Sequence, residues 1–134
     1  MNISSKYFDY LVVFTAGIGM FLSTLDSGII NVALPTLSKS FNVDTSLITW
    51  SVTLYTLLLT GTIIIFGRLS DKFSRINIYS IGLIVFLIAS ILCGFSSNII
   101  QLITFRGLQG IGAAMLQGTA TAIITTSIPE DRQG

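Results

Sequence analysis

Three observations predict an all-α transmembrane fold of four antiparallel membrane-spanning helices. The 134 residues are 51% hydrophobic and only 10% charged, with a mean hydropathy of +0.84, which lies outside the range of soluble domains. The apolar residues gather in four runs of about twenty residues or more, each long enough to cross a hydrocarbon core of about 30 Å. Period-two alternation, the mark of a transmembrane barrel, is lacking.

The first span is expected over about residues 11–34 and carries a single charge, Asp26. Its apolar pattern runs on to Pro35 with no small-residue cleavage site, so it reads as an uncleaved span and not as a signal peptide. Residues 36–46 are polar, and Asp44, Thr45 or Ser46 can cap the next helix. The second span, 47–66, has no charge, with Trp50 and Tyr55 toward the end that would meet the interface. Residues 67–75 read GRLSDKFSR, the densest charge in the chain, and predict a water-exposed loop. A third uncharged span covers 76–95. Ser96, Ser97 and Asn98 form a short connection whose side chains can cap the fourth helix, 99–126, which makes spans three and four antiparallel neighbours. Residues 128–134 leave the membrane again.

Positive charge sets the expected orientation. With a cytoplasmic amino terminus, Lys6, Arg68, Lys72, Arg75 and Arg132 fall inside and only Lys39 outside, in accord with the positive-inside rule. The expectation is a multi-pass protein of the cell membrane with both ends of this chain cytoplasmic.

Composition also excludes functions. The formal net charge is +1 and there is no histidine, so nothing offers a basic face for nucleic acid, a histidine metal site or histidine acid–base chemistry. No nucleophile–base set presents itself, so neither an enzyme nor a cofactor is expected. The single cysteine, Cys93, lies in an apolar run and reads as a small packing residue.

The fourth span carries the most information. Arg106 lies about 10 Å from its start at the helical rise per residue. A central arginine facing lipid costs from a few to more than ten kcal/mol, roughly, so the guanidinium must face protein or water. Arg106, Gln109 or Gly110, Ala113 and Gln117 recur at three- and four-residue steps on one polar, small face. Gly110, Ala114 and Gly118 repeat every fourth residue, which lets another helix approach closely.

Depth brings the two intramembrane charges together. Asp26 lies about 12 Å below Leu34 and Arg106 about 10 Å below Ile99, so they share a level somewhat outside the midplane. They are expected to line one cavity, with Gln109, Gln117 and Asn31 as further candidates for proton coupling or substrate contact. Burial and the arginine act in opposite senses on the proton affinity of Asp26. The alternative is a structural ion pair fastening span one to span four.

Three stretches, in order, resemble the major facilitator superfamily, and within it the fourteen-span drug:proton antiporters. Residues 25–35, LDSGIINVALP, resemble the span-one motif of that group, with Gly28 where threonine is usual. Residues 67–75 are similar to the loop signature, departing at Ser74, usually glycine, and Ile76, often basic. Residues 102–114, LITFRGLQGIGAA, match the span-four motif of proton-driven antiporters without an evident departure. The resemblance covers nearly the whole chain. It implies a proton-coupling role for Arg106 and cation recognition or proton handling for Asp26. It also implies a conformational role for the loop residues Gly67, Arg68, Asp71, Lys72 and Arg75, with Asp71 steadying one access state. The competing reading of that loop is a solvated turn that sets topology. If position 74 needs a positive φ, Ser74 strains the turn.

Such transporters rock two bundles built from inverted repeats around a central site, and four spans supply only the first part of one bundle. The expected function is therefore the amino-terminal portion of a proton-coupled multidrug efflux transporter, inactive alone. Its partners would be the lipid bilayer, protons, lipophilic or cationic small molecules and the missing carboxy-terminal helices. The second reading is a self-contained four-span protein, a small exporter or accessory subunit, that oligomerises through Gly110, Ala114 and Gly118.

Overall fold

The computed structural model describes residues 3–127, and these form four helices joined by short connections. Helix α1 is Ile3–Phe41, α2 Thr45–Lys72, α3 Arg75–Gly94 and α4 Ile99–Ser127. All four are long and apolar enough to cross a membrane, and the architecture is an all-α transmembrane bundle. The tail at 128–134, with Arg132, lies outside the described residues.

At two places helix extends past the expected span boundaries. Helix α1 does not stop at Pro35 but continues through it to Phe41; proline removes one backbone donor without forcing an end when the flanking turns hold. The stop comes instead at Asn42, which takes a left-handed φ of 53°. There Val43 N–H donates to the Ser38 carbonyl at 3.1 Å and Asn42 N–H to the Lys39 carbonyl at 3.3 Å, the paired bonds of a Schellman ending. The expected loop at 67–75 shrinks to Phe73 and Ser74, because α2 runs on to Lys72 and α3 starts at Arg75. Charge ends a membrane span, not a helix: 28 residues reach about 42 Å, well past an apolar core of about 30 Å. Ser74 has φ −75°, so serine sits there unstrained.

The caps follow local chemistry. Asp44 occupies the N-cap of α2 without a side-chain bond to the helix; its carbonyl accepts from Leu47 N–H at 3.0 Å, and its charge suits a helix amino terminus. At α4 the Asn98 side chain accepts from Gln101 N–H at 2.9 Å, while Gln101 reaches back to Ser97 N–H at 2.9 Å, a reciprocal cap.

Helix α4 is the core. It is the most buried of the four helices, because the other three pack around it. Small residues decide how closely. A Cβ at Gly118 would lie 2.7 Å from the Ile63 carbonyl oxygen of α2, and one at Gly112 would lie 2.7 Å from Phe86 N of α3. A Cβ on Gly82 of α3 would in turn meet the Met115 side chain at 2.6 Å. The Gly110, Ala114 and Gly118 stripe is thus used inside the chain, with both glycines against α2, and not as a free face for a second copy. Tyr79 ties α3 to α1 by donating to the Thr15 carbonyl at 2.6 Å.

Two apolar layers result. One gathers Ala16, Tyr55, Tyr79, Phe86, Ala113, Leu116 and Ala120. The other lies toward the α1–α2 connection, around Ile48, Ile99 and Leu102. Asp26 and Arg106 fall between them in sequence on α1 and α4.

Candidate functional site

The polar layer draws on all four helices. Arg106 Nη1 donates to Asp26 Oδ2 at 2.5 Å and to Gln109 Oε1 at 2.8 Å. Gln109 Nε2 donates to Asp26 Oδ1 at 3.0 Å, so both carboxylate oxygens are engaged from α4. The i, i+3 spacing of Arg106 and Gln109 puts both on the face that meets α1. From α3, the Cys93 thiol lies 3.7 Å from Gln109 Oε1. From α2, the Tyr55 ring covers the guanidinium, with Arg106 Cζ 4.2 Å from the ring centroid.

Exposure divides the pair. The Arg106 side chain is 2% exposed and that of Asp26 24%. An arginine sealed at that depth stays charged and needs compensation; the carboxylate supplies it while remaining open on one side. Arg106 Nε and Nη2 have no hydrogen-bond partner among the described residues, and the Tyr55 ring lies over the guanidinium carbon. About two turns along α4 from Gln109, Gln117 Nε2 donates to Ser23 Oγ at 2.9 Å, and Tyr55 Oη donates to the Ser23 carbonyl at 3.3 Å.

Asn31 stands apart from this cluster. Its side chain is exposed and donates to the Ser27 carbonyl at 2.9 Å, not to Asp26. Tyr55, which spacing placed toward the interface beside Trp50, is instead 2% exposed, whereas Trp50 is outside at 55%. Depth would have found it: Tyr55 lies about 15 Å along α2, near the level of the two charges.

At the α2–α3 end a second polar cluster forms. Asp71 Oδ1 accepts from Arg75 Nη2 at 2.7 Å and Nε at 3.2 Å, and Arg75 Nη1 donates to Thr126 Oγ1 of α4 at 2.5 Å. Lys72 Nζ lies 5.8 Å from the Phe73 ring centroid, while Arg68 is exposed. Gly67 packs lightly on α4, where its Cβ would lie 3.8 Å from the Gly118 carbonyl oxygen. Among the described residues no group of acidic, cysteine or histidine side chains could hold a metal.

The sequence was compared with known proteins. It is 38% identical over 125 residues to the riboflavin transporter RibZ of Clostridioides difficile, covering 93% of this chain and 27% of the relative. It is 37% identical over 123 residues to the multidrug resistance protein Stp of Mycobacterium tuberculosis, covering 92% and 23%. To the multidrug transporter protein MdtP of Bacillus subtilis it is 41% identical over 107 residues, covering 80% and 20%. The chain thus spans about a quarter of the length of the curated relatives it matches. The family model described as Major Facilitator Superfamily matches residues 16–134, and with the helices and the intramembrane charges in place, the chain belongs to that superfamily of membrane transporters.

Proposed function

We propose that this chain is the amino-terminal portion of a proton-coupled multidrug efflux transporter, exchanging protons for lipophilic or cationic small molecules. The observation that carries this reading is the Asp26–Arg106–Gln109 layer: a partly open carboxylate held against a sealed arginine inside membrane-crossing helices. Asp26 is the group that takes up a proton or meets a cationic substrate. Arg106 is the fixed charge that couples the two events, and Gln109 spans both partners. Gln117 extends the polar face toward Ser23. The loop acid Asp71, with Arg75, steadies one access state. Arg68, Lys72 and Arg75 gather at the α2–α3 end, which supports a cytoplasmic position for that end and for the chain's amino terminus.

The test is transport by the purified native product in proteoliposomes with an imposed pH gradient. A lipophilic cation should move against the proton flux, and Asp26→Asn should abolish the pH dependence. Unchanged rate and pH dependence in Asp26→Asn would end the coupling role. Riboflavin, the substrate in the name of the clostridial relative, is the competing cargo, and transport of it alone would replace the multidrug reading.

A further inference from the structure

The contact between Tyr55 and Arg106 assigns a task to a residue that carries no charge of its own. Arg106 is 1% exposed and cannot neutralise itself by losing a proton. Its Nη1 protons go to Asp26 and Gln109, while Nε and Nη2 have no hydrogen-bond partner among the described residues. When Asp26 is protonated or occupied by a cation, the guanidinium loses the one anion it is paired with among the described residues. What remains is the Gln109 amide oxygen at 2.8 Å and the Tyr55 ring at 4.2 Å. An aromatic face at that distance attracts a guanidinium through its quadrupole, and desolvation strengthens the attraction.

We infer that Tyr55 is a positioning residue: its ring holds the Arg106 guanidinium in place while Asp26 is uncharged, so the arginine stays opposite the acid throughout the cycle. The ring acts through its π face, and the hydroxyl anchors it to the Ser23 carbonyl of α1 at 3.3 Å. The charges of Asp26 and Arg106 both act on the Tyr55 hydroxyl of α2 and on the Cys93 thiol of α3; of these two residues, Tyr55 presents its ring to the cation. This rests on the proposal that Asp26 changes charge state during transport.

The experiment separates the ring's electrons from its shape. Position 55 is filled in the full chain with phenylalanine and then with its mono-, di- and trifluorinated forms, which drain the π face at nearly constant volume. Each is made in the unmodified background and in Asp26→Asn, which mimics the protonated acid. Thermal unfolding in lipid nanodiscs is the readout. In the Asp26→Asn background the midpoint should fall stepwise with fluorination, by about 5 °C across the series, and by less than half as much with Asp26 present. Tyr55→Phe, which keeps the ring but loses the hydroxyl's bond to the Ser23 carbonyl, should lower the midpoint by a similar amount in both backgrounds and by less than the trifluorinated form does in Asp26→Asn. Parallel slopes, a flat series, or a Tyr55→Phe loss as large as the trifluorinated one would overturn the inference. No transport is measured, so failure of the efflux reading in proteoliposomes is a separate result.

Discussion

Gly110 of α4 lies directly on the backbone of Tyr55 in α2: a Cβ at position 110 would sit 2.5 Å from the Tyr55 carbonyl oxygen and 3.1 Å from its Cα. The contact fixes the height of Tyr55 relative to Arg106, one turn away on the same helix. Two backbones cannot yield as a flexible side chain would. Gly110→Ala should therefore destabilise the bundle by about 2–3 kcal/mol, the cost of overpacking a tight core. Gly61, also in α2, has nothing within 4 Å of a Cβ, and Gly61→Ala should shift stability by less than about 1 kcal/mol. Denaturation of both variants in the same detergent gives the comparison, and equal effects would contradict the close approach.

The Asp26–Arg106 pair should respond asymmetrically to loss of each partner. Removing the acid leaves a sealed cation that cannot neutralise itself, so Asp26→Ala should cost about 3–5 kcal/mol, as for other broken buried pairs. Removing the arginine leaves a carboxylate that is 24% exposed and can take up a proton. Arg106→Met should therefore cost less, and the double variant should cost less than the two effects added. Unfolding of the four proteins of this cycle measures it. A larger loss from Arg106→Met would mean that the packing of the arginine stem outweighs its charge.

At the α2–α3 end the ion pair is exposed, with Arg75 and Asp71 side chains 32% and 58% accessible. Exposed pairs of this kind contribute about 0–1 kcal/mol. Asp71→Asn should leave the melting curve within about half a kcal/mol of the original. Any loss of transport in the native product would then come from a change in the balance of access states, not from unfolding. A large drop in stability would instead make Asp71 a structural staple.

The four helices were legible because each is an apolar run bounded by charge or by short polar residues. What the pattern could not give was where helix persists beyond the membrane. Pro35 and the GRLSDK segment both look like stops, yet α1 and α2 run through them, since a helix can continue in water when its turns stay bonded. The Asp26–Arg106 contact was legible from depth alone, as both charges had to be hidden at one level. Tyr55 was not, because aromatic residues in a span are commonly read as interfacial belts. Gly82 was invisible for a different reason. Its partners, Gly112 and Met115 on α4, become neighbours only once the α3–α4 register is fixed.

Thr119 offers a test of the interior itself. It sits in α4 at 0% exposure, and its hydroxyl has no hydrogen-bond partner among the described residues. Other threonines here return their hydroxyls to the preceding turn, as Thr121 does to the Gln117 carbonyl at 3.0 Å; Thr119 does not. A buried hydroxyl without a partner costs about 1–3 kcal/mol, and an apolar group of the same shape removes that cost. Valine has that shape, and β-branching keeps the same χ1 restriction in a helix. Thr119→Val should therefore stabilise the bundle by about 1 kcal/mol, read as a rise in the unfolding midpoint. Thr119→Ser keeps the hydroxyl and removes a packed methyl, so it should destabilise. If valine also destabilises, the hydroxyl is bonded in the membrane-embedded protein, and the α2–α4 or α3–α4 packing around it is looser than the glycine contacts imply.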